Sequence, residues 1–224
     1  MRVINMSAVS PGRSAALDHL IGAAGEAGIV VVVPSGNKSD DPRRCGANRA
    51  CYPSHPAQGR TPNLLVVGGL SPSGCFAAGA LAGRRCVDLA APAGYITGGQ
   101  FPNPTTNLSC GDAGGVRCSR VTDRYFSGTS FAAPIVAATA SLVAELNPTF
   151  TAAQIVERVR ATVVHDPRLT AFVSTGGRVN LYRALAGPDA GDPGAETQPD
   201  ASVSCSSPDH LLCPEAGINP TPVQ

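Results

Sequence analysis

The sequence predicts an α/β sandwich built on a parallel sheet, and three observations point to it. Val3 to Met6, Arg13 to Ala27 and Ile29 to Val33 read as strand, helix and strand with short joints, a unit that sets two parallel strands in one sheet. Ile29-Val-Val-Val-Val33 is an unbroken run of β-branched residues, the pattern of a strand covered on both faces. Thr129 to Leu146 is almost wholly Ala, Val, Ile and Leu, so a helix buried nearly all round is expected there.

The remaining elements follow in order. In the first helix Ala16, Leu20, Ala23, Ala24 and Ala27 form the apolar stripe, and Gly28 ends it. Residues 38–61 are polar and rich in Pro and Arg, an irregular surface loop. Asn63 to Gly68 is another buried strand, and Val87 to Ala90 is a shorter apolar run closed by Ala91-Pro92. From Thr97 to Arg124 the density of Gly, Pro, Asn and Cys implies a long excursion. Asn147-Pro148 stops the apolar helix. Thr151 starts another, with Ala152, Ile155, Val156 and Val159 on its inner face, and Val179 to Leu185 is a short amphipathic piece. Residues 1–187 are expected as one domain, and 188–224, mostly Pro, Asp, Gly, Ser and Thr, as a disordered tail.

A 224-residue chain with 43% hydrophobic content and a formal charge of +1 can bury a sizeable core and carries no bias toward nucleic acid or anionic membranes. Its scarce aromatics, with no Trp, do not suit a base-stacking binder. No apolar run approaches the roughly 20 residues that cross a bilayer, and the amino terminus does not read as a signal peptide.

Eight cysteines fall as sequence neighbours: Cys45 with Cys51, Cys75 with Cys86, Cys110 with Cys118, and Cys205 with Cys213. Local pairing is the expectation among about 105 possible connectivities. None of the spacings is the tight Cys-x-x-Cys of a zinc site, so no metal is expected. Disulfides imply an oxidising compartment, and an exported protein without an export signal suggests a missing amino-terminal piece.

The chemistry centres on Ser127-Gly-Thr-Ser-Phe-Ala-Ala-Pro134. It places a hydroxyl where the apolar helix opens, behind a Gly that permits a sharp turn. Backbone N–H groups and the partial positive charge of a helix amino terminus favour an oxyanion formed beside Ser130. The bland alternatives are that Thr129 or Ser130 only caps a helix and that Gly36-Asn37 is only a turn.

With Gly128, Thr129, Ser130, Ala132 and Pro134 at every fixed position of Gly-Thr-Ser-x-Ala-x-Pro, the chain resembles the subtilisin-like serine peptidases over about Val3 to Ala186. Val3-Ile-Asn-Met-Ser7 is similar to their substrate-binding strand, Val32-Val-Pro-Ser-Gly-Asn37 to the strand leading to the oxyanion-hole Asn, and Val66-Val-Gly68 and Leu89-Ala-Ala-Pro92 to later strands. The resemblance implies a three-layer sandwich with a mainly parallel central sheet whose amino-terminal strands are missing. It implies Ser130 as nucleophile and Asn37 as oxyanion donor. Gly36-Asn37 also separates the chain from the sedolisins, which use an acidic oxyanion residue. Ser7, Ala8 and Val9 would form one wall of an extended-peptide groove, and Pro34, Ser35 and Gly36 the other. Ala8-Val9 stands where the family usually has Leu-Gly, so a narrowed primary pocket is implied.

The family's Asp and His precede these landmarks in Asp-Ser/Thr-Gly and His-Gly-Thr contexts, and neither occurs here. His19, His55, His165 and His210 are all expected on the surface. The implied function is a secreted, monomeric serine endopeptidase acting on polypeptides, present as a fragment and inactive alone. The chemistry needs no cofactor, and no calcium ligand is assignable. A peptide-binding pseudoprotease using the same groove is the alternative from another class. A structural surface protein, resting only on the cysteines and the Pro-rich tail, is a third.

Overall fold

The computed structural model describes residues 1–10, 12–37, 55–57, 59, 61–77, 79–94, 96–99 and 123–191, with the side chains of 96–99 and 123–126 excepted. Residues 192–224, and with them nearly all of the proposed tail, lie outside the described residues, as do Cys45, Cys51, Cys110, Cys118, Cys205, Cys213 and His210.

The elements are β1 (Val3–Asn5), α1 (Ala15–Glu26), β2 (Val30–Pro34), β3 (Leu64–Leu70), β4 (Leu89–Pro92), β5 (Ile96–Gly99), β6 (Asp123–Phe126), α2 (Thr129–Leu146), α3 (Ala152–Ala161), β7 (Val164–His165), β8 (Gly177–Arg178) and α4 (Leu181–Ala186), with a 3-10 turn at Pro167–Leu169. The main sheet runs β1-β2-β3-β4-β8-β7. Its first five strands are parallel, and β7 is an antiparallel edge. In register, Val3 faces Val30, Val33 faces Val66, and Gly68 faces Ala90.

Layering explains why the strand sequences are apolar without alternation. Val30, Val32, Leu65, Val67, Leu89 and Ala91 point into one core with α2, α3 and α4. Val31, Val33, Leu64, Val66 and Ala90 point into the other, with Ile21 of α1 and Leu169, Phe172 and Phe76. Successive strand residues face opposite ways, so a sheet covered on both faces needs both sets apolar. The three-layer α/β sandwich of the sequence reading is the observed architecture.

Three expectations are corrected. The stripe of α1 that meets the sheet is Leu17, Ile21 and Ala24, while Ala16 and Leu20 face outward, Leu20 at 63% exposure. An i, i+4, i+7 row with the larger side chains buries more apolar area. It also brings Gly25 against Asn63, whose buried amide donates to the Ile21 and Ile29 carbonyls at 2.8 and 3.0 Å. Second, α2 has nine buried residues of eighteen, with Ala138, Leu142 and Leu146 on an exposed face. It is long and apolar enough to cross a membrane by composition, yet its inner half packs on the sheet. Third, the two ends of the 97–124 excursion are not loop: β5 and β6 pair antiparallel, Ile96 facing Phe126.

Candidate active site

β1 and β2 end side by side, the Met6 N–H donating to the Val32 carbonyl at 2.9 Å, and the chain beyond each runs toward the start of α2. The β1 ladder stops at Asn5, so Ser7, Ala8 and Val9 continue past the sheet, with Ser7 and Ala8 exposed and Val9 half-buried. On the β2 side Pro34, Ser35 and Gly36 are buried. The Ser35 N–H donates to the Val67 carbonyl at 2.9 Å, and Gly36 takes φ 98°, in the left-handed region that favours glycine.

Gly128 precedes α2 at φ 141°, a backbone that side chains with a Cβ rarely adopt. This bend lets the chain leave the β6 region and start a helix at Thr129 within one residue. Gly128 makes no side-chain cap. Thr129 does not cap the helix either: its side chain is fully buried and turned toward residues 36 and 37. Its Oγ1 accepts from the Gly36 N–H at 3.2 Å and donates to Asn37 Oδ1 at 3.2 Å, and its own N–H donates to the same Oδ1 at 3.0 Å. One of the four helix-end N–H groups that lack an intrahelical partner is thereby satisfied by Asn37. With the Asn37 carbonyl end held twice, the donor end of the amide, Nδ2, is fixed in direction.

Ser130, half-buried in the first turn of α2, exchanges contacts with Ser7. The Ser7 hydroxyl donates to the Ser130 carbonyl at 2.8 Å, and the Ser130 hydroxyl reaches the Ser7 carbonyl at 3.4 Å. The first is a full hydrogen bond, while the second is long and easily exchanged for another partner. Asn5 Nδ2 donates to Ser7 Oγ at 3.1 Å and steadies it from behind. The structure therefore brings Ser130, Ser7, Gly36 and Asn37 together around the amino end of α2. No direct bond ties Ala8 or Val9 to Ser130 among the described contacts.

The histidines separate. His19 and His165 are exposed, and His165 Nδ1 lies 2.8 Å from the Gly176 carbonyl. His55 overturns its surface expectation, being fully buried with Nε2 at 2.9 Å from Asp18 Oδ1. Arg13 Nε donates to the other oxygen of that carboxylate at 2.9 Å. The bond from His55, and then the neighbouring Arg13, hold the Asp18 carboxyl below its usual range despite some desolvation. His55 also receives the Ser10 N–H on its carbonyl at 2.9 Å, so the pair ties α1 to the segment that follows Ser7–Val9. Nothing local in Ser-His-Pro signals this. Asp18 lies 37 residues away, and only chain closure pairs them.

The sequence profile of the subtilase family matches residues 1–195. The chain belongs to the subtilase family. Mycosin-4 of Mycobacterium tuberculosis is 28% identical over 226 aligned positions, covering 92% of this chain and 46% of that protein. Subtilisin E of Bacillus subtilis is 30% identical over 165 positions, 74% of this chain and 36% of its own length. Among solved structures, a protease of Pseudoalteromonas arctica superposes with a TM-score of 0.61 at 26% identity, over 82% of this chain and 50% of that one. The chain thus spans half or less of each of these subtilase relatives.

The sequence reading missed Thr129 as the residue that orients Asn37. Within the motif Thr129 is visible, but its partners lie 92 and 93 residues away in sequence, and the spacing alone does not connect them.

Proposed function

We propose that this subtilase chain is the nucleophile-bearing part of a serine endopeptidase, with Ser130 attacking the scissile carbonyl. The Ser130 Oγ–carbon bond forms as the carbonyl becomes an oxyanion, and the hydroxyl proton passes to a base. Collapse expels the amine as the base returns that proton to its nitrogen, and leaves an acyl-enzyme, which water hydrolyses by the reverse sequence. Asn37 Nδ2 and the Ser130 N–H at the helix end would receive the negative oxygen, where the partial positive charge of α2 adds to the effect. The observation that carries this reading is the clamp of Thr129 on Asn37 Oδ1, which fixes the orientation of the amide before any substrate arrives.

The base and its orienting acid would be a His and an Asp supplied from outside these 224 residues, which contain neither the Asp-Ser/Thr-Gly nor the His-Gly-Thr context of the family. An extended peptide would lie between Ser7–Val9 and Pro34–Gly36, both of which leave the sheet beside Ser130. Val9 would narrow the pocket for the side chain before the cleaved bond. A monomer acting outside the cell is the setting we infer. Cys75 and Cys86 are both disulfide-bonded, and their mutual pairing would fit an oxidising compartment.

The test joins a subtilase amino-terminal segment carrying the Asp and His motifs ahead of Met1 and treats the product with a fluorophosphonate. Labelling at Ser130, abolished by Ser130→Ala together with proteolysis, is the expected result. Labelling at another residue, or proteolysis unchanged in Ser130→Ala, would overturn it. Peptide binding without labelling would favour the non-catalytic reading.

A further inference from the structure

A polar cavity of about 460 Å³ opens where α3 ends beside β3 and β4. Among the described residues Arg84, Arg85 and Arg160 line it with one carboxylate, Asp88, and the hydroxyl residues Thr61 and Ser174. Among the described lining residues three guanidinium groups stand beside one carboxylate, a balance that favours anions over cations.

The cavity is built on fixed backbone. Arg84 and Arg85 are the crest of a tight turn in which the Cys86 and Val87 N–H groups both donate to the Gly83 carbonyl at 2.8 Å. Gly83 is itself tied to the Phe172 carbonyl at 3.0 Å, and Cys86 is disulfide-bonded. Asp88 Oδ2 accepts from the Val66 N–H at 2.8 Å, and Oδ1 lies 3.7 Å from Arg160 Nε. Thr61 Oγ1 is buried and has no hydrogen-bond partner among the described residues, a polar group for which the protein supplies no mate.

We propose that this cavity is an oxyanion-binding site, taking a phosphate or carboxylate group between Arg84, Arg85 and Arg160. Guanidinium forks match the planar or tetrahedral array of oxygens that such groups present. The chain contains one source of its own. All 17 Lys and Arg lie at or before Arg183, while Asp189, Asp192, Glu196, Asp200, Asp209 and Glu215 lie after it. A free inorganic anion is the other source.

The experiment titrates inorganic phosphate into the full chain by calorimetry at low and high NaCl. It is repeated with the six acidic residues after Arg183 changed to Asn or Gln, and with Arg84→Gln/Arg85→Gln, whose exposed positions leave the core untouched. Circular dichroism of each variant without phosphate confirms folding, and Arg160→Lys serves if the double variant does not fold. Saturable binding in the full chain, weakened roughly tenfold or more by the arginine changes and by salt, supports the site with a free anion as ligand. Binding that emerges only after the acidic residues are neutralised supports the site with those carboxylates as its occupant. Absence of saturable binding in both forms, or binding indifferent to the arginines, overturns the proposal.

Discussion

Asn37 Oδ1 accepts two hydrogen bonds from Thr129, one from the backbone N–H at 3.0 Å and one from the hydroxyl at 3.2 Å. The residue that opens α2 therefore sets the direction of an amide at the end of β2. An oxyanion donor acts through preorganisation, because it need not reorient as charge develops. Asn37→Ala in the active fusion is expected to lower kcat by about 10² to 10³ with little change in KM, the loss seen when the oxyanion-hole Asn of subtilisin is removed. Steady-state kinetics on a peptide amide check this, and a change confined to KM would make Asn37 a binding or turn residue.

Thr129→Val separates orientation from donation. The variant keeps the shape and the backbone N–H but loses the hydroxyl that holds Asn37 and Gly36. It should leave the buried Gly36 N–H without its partner, a cost of about 1 to 3 kcal/mol, and lower kcat more than it raises KM. Thr129→Ser should restore both. Thermal unfolding read beside kinetics tests the pair, and a Thr129→Val enzyme with unchanged kcat would mean that the backbone N–H alone holds Asn37.

Acid sensitivity is expected from Asp166, whose side chain is nearly buried at 8% exposure. Arg168 binds its carboxylate through Nε and Nη2 at 2.9 and 2.7 Å, and these bonds, then the Arg168 N–H and Arg178, hold its carboxyl below the ordinary value of 3.8. A depressed carboxyl stabilises the fold above its unfolded pKa, and that contribution disappears as pH falls through the folded value. Asp166→Asn should cost about 1.5 to 3 kcal/mol at pH 7. The gap to the parent protein should narrow below about pH 4. A gap unchanged between pH 7 and pH 3 would remove Asp166 as a source of acid lability.

Oxidation of Cys75 and Cys86 leads to a mapping prediction. Their mutual bridge would close a short loop and contribute about 2 to 3 kcal/mol in the chain-entropy model. Non-reducing peptide mapping of secreted material should recover one peptide pair containing both residues, with local bridges Cys45–Cys51 and Cys110–Cys118 beside it. Free thiols throughout, or bridges between distant loops, would contradict local pairing and the exported setting with it.

What the sequence determined by itself was local or periodic. The β-branched run ending at Val33 and the apolar segment Leu64–Val67 had to be strands covered on both faces. Helix α2 begins at Thr129 and ends at Leu146 where Gly128 and Asn147-Pro148 dictate, and Thr151 with Gln154 forms the capping box that opens α3. Each follows from backbone sterics and hydrophobic period within a few residues. Tertiary structure decided what depends on chain closure. It chose which stripe of α1 meets the sheet, left a third of α2 exposed, added β8 and β7 beyond β4, buried His55 against Asp18, and turned the Asn37 amide with Thr129. The last two rest on partners 37 to 93 residues apart, and a polar side chain's direction is set by the donor or acceptor that folding brings to it.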